Sequence, residues 1–224
     1  VTFSIVARDA RTGALGMVVS SSSPAVASRC LHLRSGVGAV ASQNVTNPAL
    51  GPAVLDRLEA GDRADTALAA VLAEEPYAAY RQLTVVDAAG RTAEHSGANA
   101  LGTRAARIGD QCVAAGNLLA DESVIPAMVA AFEASEGEDL ERRLLAAFRA
   151  AVDAGGEAGE IRSAGLAVVD DVPWRTTDLR VDDAEDPLGE IGRLLELWMP
   201  QKADYRVRAL DPTAAPSYGV PGDE

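Results

Sequence analysis

The side chains that could do chemistry in this chain are few, and the first stands at its start. "VTFSIVARD" puts a threonine directly after an unusual first residue, Val1. A valine there reads as a GTG start codon translated literally. The initiator would then be methionine, which is removed ahead of a small residue such as Thr2. Thr2 would begin the mature chain, its hydroxyl beside a free α-amine, an arrangement that activates a weak nucleophile. The plainer reading makes Thr2 the polar first position of an edge strand.

Other candidates are scattered. The serines Ser20 to Ser23 form either hydrogen-bonding partners for Thr2 across a hairpin or a polar turn, with Ser21 the single choice among them. Backbone N–H groups of Gln43 and Asn44 could stabilise an oxyanion, or simply belong to a strand-to-helix connection capped by Asn47. Asn117 follows a glycine and either aims its amide into the same cleft or makes a turn. Arg29 and Arg34 could hold a substrate carboxylate by bidentate contacts; a surface role is the simpler alternative. His32 and His95 have the side chain suited to proton transfer near neutrality, but an N-terminal mechanism needs neither. Cys30 lies two residues from His32 without a wider thiol-nucleophile motif. With two cysteines and two histidines in 224 residues, neither a disulfide framework nor a metal site is expected. No cofactor is implied.

The elements that must position these residues follow from periodicity. In "TFSIVARD" Phe3, Ile5 and Ala7 alternate with Ser4, Val6 and Arg8, and "ARTG" turns the chain into a second strand, "ALGMVVS". "SGVGAVASQ" reads as a third strand of small residues. Two helices follow. In the first, Val54, Leu55 and Leu58 share a face and Gly61 suits the C-cap; in the second, Ala67, Leu68, Val71 and Leu72 are apolar and Pro76 is the stop. Strands return in "YRQLTVVDAAGRTAEHSG" and "DQCVAAGNLL". Another helix pair carries Val124, Met128 and Phe132, then Leu140, Leu144 and Phe148. "RSAGLAVVDD" and "TTDLRVDD" form a last hairpin. A final helix has Asp186 as N-cap and Leu188, Ile191, Leu195 and Trp198 on one face. Residues 1–200 read as a single domain and 201–224 as a loosely held Pro/Gly-rich tail. Strands and helices come in clusters rather than in alternation, which disfavours a parallel βαβ sheet. The expected class is α+β, as a four-layer αββα sandwich of two antiparallel sheets flanked by helices.

Composition narrows the partners. Hydrophobic residues make up 48% and charged residues 24%, the proportions of a globular protein. Twenty Lys and Arg against 33 Asp and Glu give a net charge of −13, which disfavours nucleic acid and anionic membrane surfaces. No leader and no spanning apolar run is evident, so a soluble, cytoplasmic protein is expected.

The stretches "TFSIVARDARTGALGMVVSSSSPAVASRC", "GVGAVASQNVTNPALGPAVLDRL", "YRQLTVVDAAGR", "GNLLA", "RSAGLAVV" and "LRVDDAEDPLGEIGRLLEL", in that order, resemble the bacterial family called domain of unknown function 1028, within the N-terminal nucleophile hydrolase superfamily. The resemblance implies the αββα fold and an amide hydrolase whose first residue is nucleophile and, through its amine, base. Threonine members of the superfamily also hold a carboxylate at the end of the second strand and a lysine before the third. This chain has Ser20 and Ser21 at the former place and Arg29 and Arg34 near the latter. Arginine does not give up its proton near neutral pH. The expectation is therefore a small-molecule amidohydrolase acting on a C–N bond other than a peptide bond, in a homo-oligomer; the alternative is a catalytically silent ligand-binding or assembly protein of the same fold.

Overall fold

The computed structural model describes residues 1–221. Ten strands fall into two antiparallel sheets among these residues. The strands are β1 (Thr2–Arg8), β2 (Leu15–Ser21), β3 (Leu31–Arg34), β4 (Gly38–Asn44), β5 (Arg81–Asp87), β6 (Thr92–Ser96), β7 (Ala105–Gly109), β8 (Cys112–Asn117), β9 (Ser163–Val169) and β10 (Arg175–Val181). The larger sheet has the order β10-β9-β2-β1-β8-β7 and the smaller β3-β4-β5-β6. The helices are α1 (Ala27–Cys30), α2 (Leu50–Glu59), α3 (Ala64–Glu74), α4 (Val124–Ala134), α5 (Leu140–Asp153), α6 (Pro187–Trp198) and α7 (Lys202–Leu210).

The alternation in β1 sets the layers. Phe3, Ile5 and Ala7 join the core formed with Met128, Phe132, Leu144, Phe148 and Ile191 of α4, α5 and α6. Val6 faces the other way, into a thinner core of Leu15, Met17, Val19, Ala39, Ala41 and Val86 between the sheets. A third core, with Val54, Leu55 and Leu58 of α2 and Leu68 and Val71 of α3, covers the outer face of the smaller sheet. The result is helices, sheet, sheet, helices: the four-layer αββα sandwich. Each sheet thus buries both of its faces, which is why most positions of β1, β2, β4, β5, β8 and β9 are buried whichever way they point.

Four elements escape the sequence patterns. The strand β3 and the single turn α1 are four residues each, too short to show a period. The edge strand β7, "AARIG", has only one long apolar side chain, Ile108, and that is exposed. The expected loose tail is helical in its first part: "KADYRVRAL" contains neither Pro nor Gly and forms α7. It is held by the Trp198 and Tyr205 rings, 5.3 Å apart, and by Lys202 against Glu141 at 2.6 Å. The Pro- and Gly-rich sequence begins only after Asp211, and positions 222–224 of the expected tail lie outside the described residues. Asp186 caps α6 as its sequence indicates, accepting from the Gly189 amide. Among the described residues no helix is long and apolar enough to cross a membrane.

Close approach of α5 to β2 requires Gly16: a Cβ there would stand 2.8 Å from Leu144 Cδ1 and 3.1 Å from Leu140 Cδ2. Gly16→Val is expected to destabilise the protein by about 1–3 kcal/mol through overpacking, read as a lower urea midpoint with an unchanged slope; an unchanged midpoint would show that α5 is free to shift.

Candidate functional site

β1 lies inside the larger sheet, between β2 and β8, and its first residue is paired on both sides: Thr2 opposite Ser21 and opposite Asn117. Directly paired residues project from the same face of a sheet. Thr2, Ser21 and Asn117 therefore all look toward the smaller sheet, at one end of the seam between the two. Thr2 is 6% exposed. Its Oγ1 lies 2.5 Å from the Val1 carbonyl oxygen and 3.4 Å from Ser21 Oγ, and Ser21 Oγ donates to the same carbonyl at 2.5 Å. Ser21 Oγ also accepts from the Ser23 amide at 3.1 Å, which fixes the turn after β2.

Beneath this cluster the seam is polar. Ser4 donates to Gln43 Oε1 at 2.7 Å; Gln43 Nε2 donates to Gln82 Oε1 and to the Ala115 carbonyl; Gln82 Nε2 donates to Ser96 Oγ and the Gly116 carbonyl; Asn117 Nδ2 donates to Gln82 Oε1 at 3.0 Å. The two backbone carbonyls set the direction of every amide, because only a nitrogen can donate to them. Asn117 must then offer its nitrogen to Gln82, which leaves its Oδ1 buried without a donor.

The structure gathers some of the sequence candidates and not others. Thr2, Ser21 and Asn117 meet directly. Gln43 joins one level deeper, through Ser4, with every polar atom of its side chain engaged. Asn44 takes a positive φ of 72° and turns its amide outward, donating to the Tyr80 carbonyl and accepting from the Leu101 amide. Arg29 is spent on the carbonyls of Pro24 and Ala25, at 2.6 and 3.0 Å. Arg34 is not brought to Thr2: it pairs with Gly38 at the opposite end of β4 from Gln43, and its guanidinium is held by Asp56 and Glu59. Both arginines read as substrate-binding residues are thus occupied by local acceptors. His32 Nε2 rests on the Arg29 carbonyl and burial holds its pKa down, while His95 Nε2 rests on the Ala78 carbonyl. The Cys30 thiol, pushed up by burial, contacts Thr46 and not His32.

One residue at the site has no sequence signal. Glu157 sits between α5 and β9, 5% exposed, placed by Gly155 and Gly156, which both take positive φ, and by a bridge to Leu119. Its Oε2 accepts from the Ser22 amide at 2.9 Å and its Oε1 has no partner among the described residues. Burial pushes its carboxyl up to about 7, against the opposing pull of the amino terminus and of Ser22. The run "GGEAGE" announces a turn, not a buried acid. A carboxylate thus approaches the start of β1 from the α5–β9 connection rather than from the end of β2.

Two outcomes follow from this geometry. Gln82→Leu leaves Asn117 Nδ2 and part of Gln43 without acceptors and should cost about 2–4 kcal/mol, measurable by urea unfolding; a cost near zero would show that the amides re-pair. Glu157 has a folded pKa above its unfolded value of 4.5. Its contribution is therefore fully present below about pH 4.5 and is lost as pH rises through 7. Glu157→Gln should remove that loss, on the order of 3 kcal/mol. The variant's melting temperature should gain on the parent's between pH 5 and pH 8; a constant difference over that range would contradict it.

A protein of known structure from Silicibacter pomeroyi, SPO2555, assigned to the same family model as the chain, superposes with a TM-score of 0.84 at 33% identity, over 91% of this chain and 89% of that one. Two Anbu (ancestral beta-subunit) structures also align. The one from Yersinia bercovieri has a TM-score of 0.45 at 10% identity, over 89% of this chain and 97% of its own. The one from Hyphomicrobium sp. strain MC1 has 0.42 at 10%, over 97% and 100%. No curated protein matches. The model of the family of unknown function DUF1028 matches residues 2–191, from the candidate nucleophile to the middle of α6, and the chain belongs to that family.

Proposed function

We propose that the protein is a small-molecule amide hydrolase that works from Thr2 once Thr2 is the first residue. The observation that carries this is the convergence at the head of β1: the hydroxyls of Thr2 and Ser21 both lie 2.5 Å from the Val1 carbonyl oxygen, beside the nitrogen that would become the free amine. In this reading the amine takes the Thr2 hydroxyl proton as Oγ1 attacks the substrate carbonyl. Ser21 Oγ, 3.4 Å from Thr2 Oγ1, steadies the hydroxyl. Backbone N–H groups at Gln43 and Asn44 are the candidates to receive the oxyanion. The ammonium returns its proton to the leaving nitrogen, and the acyl ester on Thr2 is cleared by water that the same amine activates.

A substrate smaller than a protein chain suits the composition. The only lysine is Lys202, and it is paired with Glu141, so the lysine of threonine-dependent members of the superfamily has no counterpart. The two cysteines are free and buried, in keeping with a reducing, cytoplasmic setting. We further take the protein to act as a homo-oligomer, without a cofactor. The second reading, a silent scaffold of the same fold, draws its support from the near-complete burial of Thr2 beneath Val1.

Intact mass of untagged native protein tests the starting residue, and a chain retaining Val1 would favour the scaffold. With an amide substrate in hand, Thr2→Ala is expected to lower turnover by ~10³-fold or more, as is any group left on the amine. Thr2→Ser should keep a measurable part, and His95→Ala nearly all. Full activity with a blocked amino terminus would end the proposal.

A further inference from the structure

Two buried acceptors near Thr2 lack donors. Asn117 Oδ1 is one strand over, on the residue paired with Thr2, and Glu157 Oε1 is on the carboxylate that the Ser22 amide holds by its other oxygen. A native fold seldom leaves such atoms without a partner. The amide oxygen, and the carboxylate oxygen whenever Glu157 is ionised, only accept, so both call for a donor, and a free α-ammonium has three N–H bonds to give.

We infer that Asn117 Oδ1 and Glu157 Oε1 receive the α-ammonium of a chain that begins at Thr2, and that Glu157 is a positioning residue whose carboxylate makes that amine a stronger base. This rests on the reading of Thr2 as an N-terminal nucleophile. When the Thr2 Oγ1 proton moves to the amine, the positive charge that appears lies beside a negative one, and no proton leaves the site. Among the described residues the groups acting on Glu157 are few: the amino terminus, here that of Val1, as its one charged influence, and the amide and hydroxyl of Ser22. Cys30 also feels the terminus, but burial keeps its thiol protonated. No lysine or arginine side chain competes for the carboxylate. Because burial moves the Glu157 carboxyl to about 7, close to the ordinary α-amine value of about 7.7–8.0, the two titrate as a coupled pair. The active form needs both deprotonated.

The test uses protein beginning at Thr2 and its Glu157→Gln variant. The amine is titrated by its pH-dependent reaction with limiting fluorodinitrobenzene, read by mass on the N-terminal peptide. Removing the carboxylate should lower the amine pKa, so that at pH 7 the variant labels about three- to tenfold faster. In the unsubstituted protein, where no folding defect can intervene, the carboxyl ¹³C titration of Glu157 should move to higher pH once the amine is carbamylated. Unchanged titrations in both experiments would overturn the inference. Acylation of Thr2 Oγ1 by a β-lactone separates it from the reading on which it rests. Below pH 7 the rate should depend on the loss of nearly two protons in the parent and of one in the variant. An equal dependence in both overturns the role of Glu157. Coupled titrations with no acylation at any pH overturn the nucleophile and leave the amine–carboxylate pair standing.

Discussion

The side-chain amide of Gln82 joins the two sheets at the end where the candidate site lies. It accepts from Gln43 and Asn117 and donates to Ser96 and the Gly116 carbonyl, so all of its capacity is used. A buried primary amide costs least under that condition. The arrangement links β4, β5, β6 and β8 and fixes which way each neighbouring amide points. Through Gln43 it reaches Ser4, and Ser4 sits two residues below Thr2 on the same face of β1. The orientation of the whole polar end of the seam follows from these bonds. Further along the strands the seam is closed by Val6, Met17, Ala41 and Val86, where apolar burial holds the sheets together without directional preference.

That division explains why Thr2 can be both buried and held in place. Being first in a strand with neighbours on both sides leaves its backbone little freedom, and its side chain stands among hydroxyls and amides rather than in the apolar part of the seam. Among the described residues, three of the four non-glycine residues with positive φ mark the ends of strands at this edge: Ala25 after β2, Asn44 at the end of β4 and Leu118 after β8. Such conformations cost about 1–3 kcal/mol each and persist where surrounding contacts impose them. Here the contacts lie in the loops themselves: the Leu118 amide donates to the Leu101 carbonyl, the Ala158 amide to the Leu118 carbonyl, and the Ala25 amide to the Asp182 carbonyl.

Much of this could be read in the residues. The alternation in "TFSIVARD" separates the helix-facing core from the seam, and the clustering of strands and helices carries the layer order. What could not be read has physical causes. β3 and α1 are shorter than a detectable period, and β7 is an edge strand whose outward positions need no apolar side chain. In the site, Ser21 and Asn117 were legible because a hairpin and a Gly-Asn strand end place them by pairing with Thr2. Arg34 was not, since proximity in sequence to a strand says nothing about which end of the strand lies beside Thr2, and Asp56 and Glu59 come from a later helix. Glu157 is separated from Thr2 by most of the chain and arrives through a Gly-Gly turn, so no local pattern marks it.

The position of that acid changes the electrostatics that the fold can offer. A carboxylate paired with a lysine would hold a fixed charge balance across neutral pH. Here the acid has no side-chain cation, its desolvation is offset mainly by the Ser22 amide and by the amino terminus, and its ionisation falls in the same range as that of an α-amine. In a chain that begins at Thr2, as proposed, the protonation of the amine and that of the acid would set each other, and with them the chemistry open to Thr2.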